Sequence, residues 1–210
     1  MKKRRSWLAL WICILFVVAC GQHAVNRAEN AIGLMQEDLS KIVNELREIQ
    51  TLEKGLQSAF ETVLSANDTA LFASEDNAVA NNLNERTAHI KTLEETQKSL
   101  VELSEELANI QQQDLPTEQF KQVHQEVQAL NTTLTTYIGD YRNNLAMEAA
   151  SFKAMANPES DYTVLFSIIK NLSNTDTTNN INLDKVLPSF EPISIKLINL
   201  KVQLVNMKER

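Results

Sequence analysis

Turn formers, cross-linkers and aromatic groups are all scarce in this chain. Across 210 residues there are four glycines and four prolines, and aromatic side chains make up 6%. A sheet protein needs many tight turns and many β-branched or aromatic strand positions, so this scarcity disfavours a barrel or sandwich. Leu, Gln, Glu, Asn and Lys dominate instead, a composition that suits long helices. Cysteine is limited to Cys13 and Cys20, which leaves no disulfide framework, so stability has to come from packing. The three histidines, His23, His89 and His124, lack the paired spacing of a metal site, and neither metal nor cofactor is expected. No glycine-rich phosphate loop or Gly-x-Ser-x-Gly elbow is present. Glu94-Glu95 and Glu105-Glu106 resemble paired carboxylates, but neighbours on a helix point about 100° apart and do not converge. The chain reads as a non-enzyme.

Apolar residues form one unbroken run, and it lies at the start. Four cations, Lys2 to Arg5, precede Trp7 to Ala19, which ends in Val17-Val18-Ala19-Cys20-Gly21. This run is shorter than the roughly 20 residues of a membrane-spanning helix and has the layout of a secretory signal. Val-Val-Ala-Cys resembles the lipobox of bacterial lipoproteins. The resemblance implies cleavage between Ala19 and Cys20 and a diacylglyceryl group on the Cys20 thiol. Residues 1–19 are then a removed signal, 20–27 a lipidated tether, and 28–210 a single domain on the extracytoplasmic face of the cell membrane. Loss of the four cations takes the formal charge from −7 to −11. So acidic a surface argues against nucleic acid and against broad adhesion to phosphate-rich wall polymers.

Downstream the apolar residues recur at helical spacing. Ile32, Met35, Leu39, Ile42, Leu46 and Ile49 alternate steps of three and four, and the stripe resumes through Leu52, Leu56, Phe60 and Val63. Break signals follow at Asn67-Asp68 and Ser74 to Asn77, with Leu71 and Phe72 suggesting a partly packed loop. A second helix is expected over about 79–113, its stripe interrupted by Arg86, Gln97 and Ser104, which read as register-fixing polar intrusions. Asp114 to Glu118, with Pro116, combines a stop and a start. The third stripe is the most regular: Phe120, Val123, Val127, Leu130, Leu134, Tyr137 and Tyr141, extended by Leu145, Phe152 and Met155. The aromatic members could form a platform for sugars or peptide stems, but heptad spacing favours the core. Asn157-Pro158 closes this helix.

A short fourth helix should hold Tyr162, Leu165, Ile169 and Leu172, with Asn174 to Asn182 (NTDTTNNIN) as a polar, flexible link. A last helix is marked by Phe190, Ile193, Leu197, Leu200, Leu204 and Met207, with Pro188 and Pro192 kinking or delaying its start. The pattern predicts an all-α fold, an elongated antiparallel bundle of three long helices plus a split fourth rung. Both ends of the mature chain then lie near the membrane. Lys196, Lys201, Lys208 and Arg210, opposed within the last helix by Glu209 alone, form a basic patch suited to anionic head groups.

Several segments together resemble the YkyA-like lipoproteins of Firmicutes. They are the lipobox, Leu46-x-x-Ile49-x-x-Leu52-Glu53-x-x-Leu56, Leu93-Glu94, Tyr137-x-x-x-Tyr141-x-x-x-Leu145-x-x-Glu148-x-x-x-Phe152, and Asp161-Tyr162-x-x-Leu165. The resemblance implies a Gram-positive envelope and an attribution to cell-wall binding, and it supplies no catalytic residues. The Asn/Thr-rich stretch and the two late prolines depart from that family's Lys/Glu-rich pattern. The leading expectation is a membrane-anchored, non-catalytic wall-binding or spacer module, its partners the lipid at Cys20 and peptidoglycan or a wall polymer. The alternative is a helical face that binds another envelope protein, such as a secretion, division or phage-exclusion factor.

Overall fold

The computed structural model describes residues 3–157 and 162–208, with side chains from His23 onward except those of Tyr162 and Leu165. Five α-helices are present: α1 (Lys3–Leu64), α2 (Ala78–Ala108), α3 (Thr117–Ala154), α4 (Tyr162–Val186) and α5 (Phe190–Lys208). The described residues contain no strand. Every apolar position expected inward on α1 from Ile32 to Ile49, and on α3 from Phe120 to Tyr141, is buried. These stripes meet in one continuous core. Packing starts earlier than the pattern suggested, because Val25 and Ala28 are already buried on α1.

The helix ends are chemically marked. Asn67 takes a left-handed φ of 55° just past α1, a conformation that Asn tolerates better than most residues. Asn77 caps α2: its side chain accepts from the Ala80 amide at 2.9 Å and donates to the Leu71 and Ser74 carbonyls. Between them a short 3₁₀ turn, Thr69–Ala73, buries Phe72 against Phe60 and Phe152, with ring centroids 5.5 and 6.4 Å away. The loop is packed through Phe72, while Leu71 stays exposed.

Ion pairs and hydrogen bonds fix the directions of the rungs. Arg27 meets Glu106 and Glu45 meets His89, so α2 runs back along α1. Glu94 meets Arg142 and Ser104 meets His124, so α3 reverses again. Glu148 to Thr175, Asn144 to Asn179, Asp140 to Asn182 and Glu126 to Lys196 then step down α3 while climbing through α4 and α5. The last two helices are therefore one rung, interrupted by a 3₁₀ turn at Leu187–Ser189 that contains Pro188. Proline lacks the amide that a continuous helix requires there.

Two expectations for this rung are corrected. Asn174 to Asn182 is not a link but lies wholly within α4. Its inward positions Thr175, Asn179 and Asn182 are buried and bond to side chains of α1 and α3, which replaces the apolar seam that pattern reading requires. Ile169 is 52% exposed and its neighbour Ile168 faces inward instead. The polar anchors about two, three and four turns beyond Ile168, namely Thr175, Asn179 and Asn182, set the rotation of α4. Tyr162 and Leu165, also expected inward, have side chains outside those described.

Candidate ligand cleft

Where α1 and α3 end and α4 begins, the helices leave a cleft of about 670 Å³. Its apolar wall is built by Leu56, Phe60 and Leu64 of α1, Phe152 of α3, and Ile168 and Leu172 of α4. Glu53, Arg86 and Glu148 form the floor, and Glu61 and Asp176 reach it from the sides. The volume lies within the range of about 300–1,000 Å³ that accommodates small ligands.

The floor is a buried polar network that spans all four rungs. Arg86 of α2 is 1% exposed and Glu148 of α3 is 4% exposed; the guanidinium Nη2 donates to the Glu148 carboxylate. Arg86 Nε donates to Asn82 Oδ1 at 3.1 Å, and Nη1 to the Tyr141 hydroxyl at 3.2 Å. Asn82 in turn donates to the Leu52 carbonyl of α1 at 2.7 Å. From α4, Thr175 donates to Glu148 at 3.3 Å and Asn179 to Glu53 at 2.8 Å. Asn144 donates to Asn179 Oδ1 at 2.7 Å, so one amide bridges α1 and α3.

Burial dominates the electrostatics of this floor. It pushes the Glu53 carboxyl above its ordinary value, against the Asn179 hydrogen bond and the nearby Arg86 charge, which pull it down. The Tyr137 and Tyr141 hydroxyls are pushed well above the usual tyrosine range by the same cause and stay protonated. Away from the cleft, the exposed Glu94 carboxyl is lowered by its hydrogen bonds from Arg142.

The sequence-derived sites lie elsewhere. His23 is exposed near the start of the described side chains; His89 bonds Glu45, and His124 bonds Ser104. Among the described residues no group of three or more His, Cys, Asp or Glu side chains could hold a metal. Glu94 turns to Arg142, Glu95 to Lys91 and Glu106 to Arg27. Neither glutamate pair converges. Tyr137 and Tyr141 are core residues; Phe152 is buried too and lends an edge to the cleft. Of the basic patch, Lys196 is paired with Glu126 and Lys208 with Glu29. Lys201 lines a shallow depression with Glu37 and Glu45. Arg210 lies outside the described residues, as do the side chains of Ala19 and Cys20. No helix of the described residues is long and apolar enough to cross a membrane.

In the sequence Arg86 has the look of a register residue, and Glu148 stands out only as a member of the family-like segment of α3, with nothing to mark the two as partners. The available signal was positional. Arg86 sits at inward spacing between Leu83 and Ile90, and Glu148 between Leu145 and Phe152. Opposite charges at two inward positions stay in a core only by finding each other.

Fold and cleft together define an elongated all-α bundle with a ligand-sized opening at one pole. Its family follows from comparison with known proteins. The YkyA family model, described as "Putative cell-wall binding lipoprotein", matches residues 24–184, and the chain belongs to that family. The match runs from the first buried turn of α1 nearly to the end of α4 and leaves α5 outside. No curated protein and no solved structure matches the chain.

Proposed function

We propose that this protein is a lipid-anchored, extracytoplasmic binding module that is not a catalyst and presents its cleft to the envelope beyond the membrane. One observation supports the reading: the cleft and the Glu29 end of α1 occupy opposite poles. Glu29 of α1 contacts Lys208 of α5 at one pole, while Phe60 lines the cleft at the other. Thirty-one residues of unbroken helix separate Glu29 from Phe60, about 46 Å at 1.5 Å per residue. An anchor on Cys20 would hold the first pole at the bilayer and turn the second toward the wall. Family membership supports the wall as the partner and the lipid as the anchor.

In this reading the patch meets anionic head groups through its C-terminal end, because Lys201 stands beside Glu37 and Glu45, roughly 25 to 38 Å along α1 from Cys20; the remaining members with described side chains are Lys196 and Lys208. The attraction is weaker than four free lysines and arginines would give, because the latter two are already in ion pairs.

Retention on purified sacculi, with and without their anionic polymers and across salt, tests the function. Ile169 also lines the cleft, at its exposed rim; the intact chain is expected to be retained, and Ile169→Trp, which fills the cleft from that position, to be released. No retention under any condition sinks the reading.

A second reading, in which another envelope protein is the partner, is favoured by the outer face of α5. Ile195, Ile198, Val202 and Val205 follow one another at steps of three and four and are 50%, 53%, 55% and 38% exposed. This is the spacing of a helix-packing seam, and no helix of the described residues covers it. A photo-cross-linker at Ile198 that captures one stoichiometric protein in cells supports this reading, and a cross-linker that captures none removes it.

A further inference from the structure

We infer that the cleft recognises a cationic amphiphile, a molecule with an apolar body of about one alkyl chain and a protonated amine at its head. This deepens the reading above and rests on the cleft being the recognition site.

Two properties of the cleft select that chemistry. Its walls are hydrocarbon and aromatic, so an apolar body displaces water there favourably. The lining runs from Glu53 to Leu64 on α1 and from Ile168 to Asp176 on α4, roughly 12 to 17 Å of helix. That length suits a single alkyl chain of about ten carbons, and the charge of the lining decides what such a chain carries at its head.

Charge then chooses the head group. The lining holds one cation, Arg86, and four carboxylates, those of Glu53, Glu61, Glu148 and Asp176. Arg86 already commits three of its five N–H donors to Glu148, Tyr141 and Asn82, and its charge is balanced by the Glu148 carboxylate, so it offers an anionic ligand little net attraction. An anion would also face the three remaining carboxylates across an apolar, weakly screening space. An ammonium group meets the opposite situation. Glu53 receives a neutral amide from Asn179, and Asp176 is exposed at the mouth one turn before Asn179. A head group between Glu53 and Asp176 gains charge-assisted hydrogen bonds that no lysine or arginine of the lining supplies.

The test is calorimetric titration of the full-length chain in zwitterionic lipid nanodiscs with n-decylamine, n-decanol and n-decanoate. The Ile169→Trp chain in identical discs supplies the reference for partitioning into lipid. The difference between the two chains should show a saturable site for decylamine, about tenfold weaker binding of decanol, and none for decanoate. Glu53→Gln should lower decylamine affinity about tenfold and Asp176→Asn, at the exposed mouth, about two- to fivefold, while both leave decanol within twofold. Circular dichroism melts confirm that each variant is folded. Decanoate binding as tightly as decylamine, or no difference between the two chains for any probe, overturns the inference. Sacculus retention that is sensitive to Ile169→Trp would then leave the underlying reading standing, so the two failures are distinguishable.

Discussion

The guanidinium of Arg86 on α2 lies against the carboxylate of Glu148 on α3, 62 residues further along the chain, and both are nearly inaccessible to water. Breaking a buried pair from one side strands the other charge, which costs about 3–5 kcal/mol. Arg86→Ala or Glu148→Ala should therefore lower the urea midpoint steeply, whereas the double change Arg86→Met with Glu148→Leu should recover most of the loss. Single variants as stable as the parent would mean that water reaches this floor.

The helical state of Asn174 to Asn182 is open to hydrogen exchange. Amides of α4 around Thr175, Asn179 and Asn182 should exchange far more slowly than those of a loop, because their side chains tie this segment to Glu148, Glu53 and Asp140. Asn179→Ala, which leaves Glu53 and Asn144 short of a partner, should cost about 1–3 kcal/mol and speed exchange along the same segment. Exchange at the rate of an unstructured peptide in the parent chain would contradict the packing.

Glu53 makes stability depend on pH with a definite sign. Burial raises its carboxyl in the native state, so the folded chain holds this proton more tightly than the unfolded chain. The resulting stabilisation is complete below the ordinary carboxylate value of about 4.3 and is lost as pH rises through the raised native value. Glu53→Gln keeps an acceptor for Asn179 and removes the titration. Its melting temperature relative to the parent should climb from pH 4 upward and then level off; parallel curves between pH 4 and 8 would show that Glu53 is not desolvated.

Packing of the most regular stripe predicts a conventional core penalty. Leu134 has no exposed surface, and Leu134→Ala should cost about 2–5 kcal/mol in equilibrium unfolding, the range for a buried leucine that leaves a cavity. A loss below half a kcal/mol would place that face of α3 in contact with solvent.

Anchoring is tested by fractionation. Two acyl chains on one thiol bind a bilayer stably, so Cys20→Ala should move the protein from the membrane fraction to the medium or the soluble envelope fraction. A variant that still sediments with membranes would show another means of attachment.

Where the sequence was legible, the reason was periodicity in hydrocarbon. Ile32 to Ile49 and Phe120 to Tyr141 could be placed because apolar side chains at steps of three and four have one economical arrangement. The fourth rung was half hidden because α4 packs through Thr175, Asn179 and Asn182, and a hydrogen-bonded seam has no signature in hydropathy. The cleft was hidden for a related reason. Its floor joins Glu53, Arg86 and Glu148 from three helices, and nothing local in the chain says that these three meet. What pattern reading could have used was the in-phase placement of Arg86 and Glu148 on their own helices, a cue that becomes decisive only when the helices are paired in register.

The unbroken course of α1 has a mechanical consequence. Its first packed turn and the mouth of the cleft belong to a single rod, so a pull applied between them runs lengthwise and loads the seams with α2 and α5 in shear. Many layers of interlocked side chains then resist together, where a pull across the rod would open them one at a time. A molecule gripped at the far pole is thus held by a stiff strut, and the distance between grip and base stays nearly constant under tension.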